Sequence, residues 1–294
     1  MHGVLLLDKP SGITTNRALQ RVQRLLGAAK AGHTGSLDPL ATGMLPICLG
    51  EATKLTGLML GADKTYQVAV KLGQATDTAD STGSVVAEAA VPALSQALVG
   101  ESLLRLTGRI EQVPPMYSAL KHEGQRLYAL ARRGVEVERV ARTVTIHELT
   151  LLRHGMETLE LHVRCSKGTY VRTLAEDLAR LLGTVGHVTA LRRLAVEPFG
   201  RYRMTKLEEL EQAADADACL LPVDSVIADW PRLSLDASLV ERLIHGQAVR
   251  AEADWPRGRV RLHTAAGGLF GIGEVGAGDL LIPRRMFPGL GPWS

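Results

Sequence analysis

The chain has few of the features that usually announce a function. It holds only three cysteines, Cys48, Cys165 and Cys219, an odd number with no Cys-x-x-Cys pair. That argues against a disulfide framework or a thiolate metal cluster and for reduced thiols, as expected of a cytoplasmic protein. No group of His, Cys, Asp and Glu has metal-ligand spacing, so no metal site is expected. No apolar run approaches the ~20 residues of a membrane span. Met1-His2-Gly3-Val4 leads straight into a strand pattern without the flank and cleavage region of a signal peptide. A cytoplasmic protein without membrane contacts is the expectation. Aromatic residues make up 4% of the chain, while 46% of it is hydrophobic, an ordinary globular balance. Lysine is scarce too, with 8 against 26 arginines at a net charge of +3. Arginine forks suit phosphate, so a nucleic-acid partner is plausible, with solvated faces as the plainer account.

One glycine-rich run misleads. Gly271-Ile272-Gly273-Glu274-Val275-Gly276 has the spelling of a dinucleotide turn, but only eighteen residues follow it, and they read as strand. The helix and second strand that such a site needs are lacking.

The most informative stretch is Gly32-His33-Thr34-Gly35-Ser36-Leu37-Asp38-Pro39-Leu40-Ala41-Thr42-Gly43. Proline fixes its own φ and pushes Asp38 toward an extended conformation, so the loop is expected to be rigid and to present one carboxylate. A turn capped by Asp38 is the ordinary alternative. Around it, Val4 to Leu7 reads as a buried strand, and a helix follows with Thr14 or Thr15 as cap and Gly27 as stop. Leu45 to Leu49 reads as a strand and Glu51 to Leu60 as a helix. Thr65 to Leu72 alternates, placing Tyr66, Val68, Val70 and Leu72 on the buried face. Leu159 to Cys165 reads as a strand breaking at Ser166-Lys167-Gly168, and a helix from Val171 closes at Gly183. Tyr170 and Arg172 then lie at a strand-to-helix junction, where side chains commonly converge on a site.

At 294 residues, one large domain and a small one are expected. The boundaries read as 1–230 and 231–294, with linker-like text from Val223 to Leu235 and a β-rich final unit. A basic segment of about 113–142, containing Pro114-Pro115 and a short helix near Leu127, reads as a projecting arm.

Four motifs together resemble the bacterial TruB-type tRNA pseudouridine synthases. They are Leu7-Asp8-Lys9-Pro10-Ser11-Gly12; the Gly32 to Gly43 run with Leu45-Pro46 and Gly50-Glu51-Ala52-Thr53-Lys54; Lys64-Thr65-Tyr66 with Leu72-Gly73 and Thr76-Asp77-Thr78-x-Asp80; and Ser166-Lys167-Gly168-Thr169-Tyr170-Val171-Arg172 with Leu191-Arg192-Arg193. The Pro114-Pro115-x-Tyr117-Ser118-Ala119-Leu120-Lys121 segment also fits. The match covers roughly the first 200 residues in order.

The resemblance implies an isomerase, an intramolecular transferase that converts the uridine at position 55 of the tRNA T arm to pseudouridine. It implies an α+β fold with a mixed, mainly antiparallel central sheet flanked by helices, an RNA-clamping arm and a small C-terminal PUA-like β-domain. It carries over Asp38 as nucleophile, Tyr66 as ring contact and proton acceptor, and Arg172 as partner of the Asp38 carboxylate. His33, Tyr170 and Leu191 match substrate-contacting positions, and Lys9 is a further candidate, for phosphate. No cofactor is needed, the partner is tRNA, and no obligatory protein partner is implied; a monomer is expected.

The chemistry suits these residues. Isomerisation cuts the bond between uracil and ribose, turns the base and rejoins it through carbon, with no redox change. One carboxylate can serve as covalent catalyst by attack on either the sugar or the ring. Burial would raise its pKa, and a neighbouring arginine favours the charged form. The target base must leave its stack to reach it. Two other classes compete: a noncatalytic RNA-binding or RNA-folding protein, and a nucleosidase with Asp77 or Asp80 as second acid.

Overall fold

The structure is a computed structural model that describes residues 1–118 and 120–291. Ala119 of the Pro114 to Lys121 motif and the last three residues of the 231–294 unit lie outside them. Among the described residues, nine strands form a central sheet. Eight follow one path: Thr205–Lys206, Gly3–Lys9, Thr42–Leu49, Gly186–Val196, Lys64–Leu72, Thr158–Cys165, Arg142–His154 and Gly108–Gln112, while Ala31–His33 also pairs with Thr42–Leu49. Only two of these pairings are parallel, Gly3–Lys9 with Thr205–Lys206 and Gly186–Val196 with Thr42–Leu49. The sheet is therefore mixed and mainly antiparallel, as expected.

Alternation puts the first strand into two cores. Leu5 and Leu7 join the larger apolar cluster with Leu45, Ile47, Tyr66, Val68, Leu178 and Leu191. Val4 and Leu6 join a second cluster on the other face, with Met44, Cys48 and Phe199. The helix Thr15–Leu25 turns Ala18 and Val22 inward, and the Thr14 side chain caps it by accepting from the Arg17 N–H at 3.2 Å. The helix Val171–Leu181 buries Val171, Leu174, Ala175 and Leu178.

Glu51 to Leu60 is not one helix. A 3₁₀ turn over Gly50–Leu55 precedes an α-helical turn over Thr56–Leu60, and the Thr53 hydroxyl bonds the Gly50 carbonyl at 2.7 Å, which favours the tighter winding. The final unit contains a five-stranded sheet ordered Arg232–Leu235, Gly258–Thr264, Leu269–Val275, Leu280–Met286 and Val249–Arg250. Most of the dinucleotide-like run lies in its third strand, paired on both sides, so no helix follows it. The linker reading of Val223 onward needs correction. Val223, Val226 and Ile227 form a 3₁₀ turn buried in the second cluster, where Leu269, Ile272 and Phe287 of the final unit also pack. Apolar contact, not a free tether, joins that unit to the sheet.

The arm leaves the sheet at Gln112 and returns at Arg142, residues that face one another across the edge pair. Between them lie a short hairpin, Lys121–His122 with Gln125–Arg126, and the helix Leu127–Ala131.

Candidate active site

Asp38 sits in a loop held from every side. The Thr15 hydroxyl donates to the Leu37 carbonyl at 2.9 Å and accepts from its N–H at 2.8 Å. The Gly12 N–H reaches the Pro39 carbonyl at 2.9 Å, and the Ala41 N–H closes back on the Asp38 carbonyl at 3.0 Å. Gly43 leaves the loop at φ +97°, and a Cβ there would stand 2.2 Å from the Arg193 carbonyl, so glycine alone fits. The rigidity expected from the sequence thus has named bonds behind it.

Arg172 arrives from the second position of the Val171–Leu181 helix. Its Nε lies 2.9 Å from Asp38 Oδ2 and its Nη2 donates to Oδ1 at 3.4 Å, a forked contact. The remaining capacity goes to the carbonyls of Thr78 and Tyr117, each at 2.7 Å. The Arg172 side chain is 6% exposed and that of Asp38 39%, so the arginine is structural backing and the carboxyl opens outward. Burial still pushes the Asp38 pKa above the usual carboxylate value; Arg172 opposes this and Asp80 adds to it. Arg172 moderates the effect of burial without overturning it.

Tyr66 lies on the buried face of Lys64–Leu72, as its alternation implied. Burial pushes its phenol pKa up, and Arg193 opposes this through its charge and a side-chain hydrogen bond. Arg193 had no role assigned from sequence beyond its place in a motif. It is 1% exposed, with Nε on the Met44 carbonyl at 2.6 Å and its terminal nitrogens on the carbonyls of Gly35 and Ser36 at 3.2 and 3.5 Å. One guanidinium therefore ties Tyr66 to the Asp38 loop. The available signal was the glycine-rich loop itself, whose carbonyls need a donor.

Four other candidates remain. Leu191 is buried in the same apolar cluster as Tyr66, one strand over. His33 ends a short strand at the start of the loop, its Nδ1 accepting from the Gly35 N–H at 3.4 Å, and burial lowers its pKa. Tyr170, half-buried, immediately precedes the Arg172 helix. Lys9 has a different job from the one expected. It is fully buried, and its Nζ donates to the carbonyls of Pro10, Ile13 and Pro39 at 2.8, 2.9 and 3.4 Å. Its ammonium is occupied in pinning the turn and does not reach out to phosphate.

Asp77 and Asp80 are likewise committed. Asp80 Oδ1 accepts from the Thr78 and Thr82 hydroxyls and the Thr82 N–H, and Asp77 accepts from the Ser84 N–H. Both candidate second acids of the nucleosidase reading thus have hydrogen-bond partners of their own. Several arginines counted toward nucleic-acid binding are also paired internally: Arg203 with Glu209, Arg257 with Asp279, Arg261 with Asp224 and Arg284 with Glu274.

Solved structures share this fold. The chain is similar to a Cbf5-Nop10-Gar1 complex, with a TM-score of 0.72 and 23% identity over 97% of this chain and 84% of that one. It is also similar to an H/ACA RNP bound to a substrate RNA containing 2′-deoxyuridine, with a TM-score of 0.71, 20% identity and the same coverage. The chain belongs to the TruB family of pseudouridylate synthases and is an isomerase. Residues 23–171 match the TruB family pseudouridylate synthase N-terminal domain, 172–228 the tRNA pseudouridylate synthase B C-terminal domain, and 231–287 the pseudouridine synthase II TruB C-terminal family. Proteins named tRNA pseudouridine synthase B are similar over nearly the full length. The one from Nitrosococcus oceani is 52% identical over 97% of this chain and 94% of its own, and that from Coxiella burnetii strain Dugway is 50% identical with the same coverage. The one from Xanthomonas campestris strain 8004 is 49% identical over 99% of this chain and 95% of its own.

Proposed function

We propose that this protein isomerises the uridine at position 55 of the tRNA T arm to pseudouridine, with Asp38 as covalent catalyst. The observation that carries the reading is the Asp38–Arg172 fork: an outward-facing carboxyl with a buried, permanently charged partner behind it. The flipped base enters above Asp38, whose oxygen bonds to the nucleoside as the glycosidic bond breaks. The uracil turns and rejoins through carbon as the bond to Asp38 breaks and frees the carboxylate; Tyr66 takes the proton which that carbon gives up, and the ring nitrogen that left the sugar gains one. Leu191 forms the apolar wall of the base site, Tyr170 flanks it, and His33 meets the nucleotides displaced by flipping.

The same reading divides the chain at about residue 230, with the arm of 113–142 and the final β-unit holding the RNA backbone. It also casts the protein as a monomer acting on tRNA in the cytoplasm. The test is release of tritium from tRNA transcripts carrying 5-tritiated uridine. The wild-type protein releases it, a transcript with cytidine at position 55 does not, and Asp38→Ala binds RNA but releases none. Retained release by Asp38→Ala would overturn the nucleophile, and free uracil among the products would overturn isomerisation.

A further inference from the structure

Gln112 makes a contact that none of the roles above requires. It is the last residue of the edge strand Gly108–Gln112 and is 2% exposed. Its side-chain amide meets one residue at two points: Nε2 donates to the Tyr170 carbonyl at 3.3 Å, and Oε1 accepts from the Tyr170 N–H at 3.1 Å. A side chain thus does what a neighbouring β-strand would do. A buried amide can satisfy both of its polar ends only if the opposing donor and acceptor are held in register.

Tyr170 is the residue that needs such a hold. It is the N-cap of the Val171–Leu181 helix and contributes no side-chain cap of its own. Its carbonyl also accepts the first helical bond, from the Leu174 N–H at 3.0 Å. Arg172 comes two residues later, so the orientation of that first turn decides where the guanidinium stands relative to Asp38. Gln112 is also the foot of the arm, facing Arg142 where the chain returns. Five residues beyond Gln112, the Tyr117 carbonyl takes a second bond from Arg172 at 2.7 Å. Pro114 and Pro115 stand between these two contacts and fix two φ angles, which stiffens the span.

We propose that Gln112 is a positioning residue: by clamping the Tyr170 peptide it aligns Arg172 on Asp38 and makes that alignment depend on the foot of the RNA-gripping arm. The inference rests on the roles given above to Asp38 and Arg172. It requires that the effect of Gln112 pass through Arg172.

The test is a double-mutant cycle read by single-turnover isomerisation of a tRNA transcript, with RNA affinity measured alongside. Gln112→Ala is expected to slow the bound complex roughly ten- to hundredfold, as small misplacements of catalytic groups do, with affinity changed by less than about threefold. In an Arg172→Lys background the same substitution is expected to change the rate by less than about threefold, because the group it aligned is gone. Gln112→Met removes both bonds while keeping the side-chain volume and adding no charge, so it is expected to reproduce the rate loss; should Gln112→Ala not fold, Gln112→Met carries the cycle. A loss of stability or affinity with an unchanged rate for the bound complex would overturn the proposal, as would an equal rate loss in both backgrounds. Turnover by Asp38→Ala would instead strike at the underlying catalytic reading, so the two failures are distinguishable.

Discussion

Arg193 and Tyr66 face one another across two antiparallel strands, and the same guanidinium holds the carbonyls of Gly35, Ser36 and Met44. Tyr66 and the Asp38 loop therefore share one buried cation. Arg193→Met leaves those carbonyls without their donor and is expected to lower unfolding stability by at least ~2 kcal/mol. Denaturant unfolding and single-turnover assays on the folded fraction check this. An unchanged rate per folded molecule would contradict the link to Tyr66.

Arg172→Lys retains a positive charge but loses the fork that meets both Asp38 oxygens and two carbonyls. The rate of the bound complex is expected to fall on the order of a hundredfold, the loss typical of one preorganised donor. RNA affinity should change little. Equal losses in rate and affinity would mean that Arg172 grips substrate instead.

In the role proposed above Asp38 must be ionised, and burial raises its pKa. The protonated, inactive form therefore persists to higher pH than for an ordinary carboxylate, and the rate rises with pH until that value is passed. Replacing Arg172 by Gln removes the main opposing influence and is expected to carry the acid limb further upward. Single-turnover rates measured from about pH 4 to pH 8, across and above the usual carboxylate range, decide the matter. A limb at the ordinary carboxylate position in both proteins would contradict it.

Lys9 offers a contrast between pinning a turn and gripping phosphate. Burial lowers its pKa to about 8, and its donors are occupied by carbonyls. Lys9→Met is expected to reduce thermal stability and catalytic rate without altering the salt dependence of RNA binding. A salt slope smaller by about one would reinstate a phosphate contact.

The parts of the molecule legible in the sequence are those where local chemistry and tertiary position agree. The glycine- and proline-marked loop at Asp38, the two-residue alternation that buries Tyr66 and the helix that carries Arg172 all belong here. The strands Arg142–His154 and Gly186–Val196 are harder to read because irregular pairing interrupts their alternation, between Ile146 and Glu148 in one and between Val188 and Ala190 in the other. Arg193 resembles a surface charge next to Arg192, since only the carbonyls brought to it by the fold explain its burial. Lys9 is obscured in the same way. Gln112 carries no motif, and its importance arises from an element nearly sixty residues away in the chain.

The place of Gly186–Val196 also governs when the site can exist. That strand lies between Thr42–Leu49, which follows the Asp38 loop, and Lys64–Leu72, which bears Tyr66; no hydrogen-bonded ladder joins those two directly. A chain still emerging from the ribosome thus lacks the ladder between these two strands until synthesis has passed Val196. Such non-local pairing is slow to form and must wait for its last partner. Insertion of that late strand is what joins the strand after the Asp38 loop to the strand that bears Tyr66.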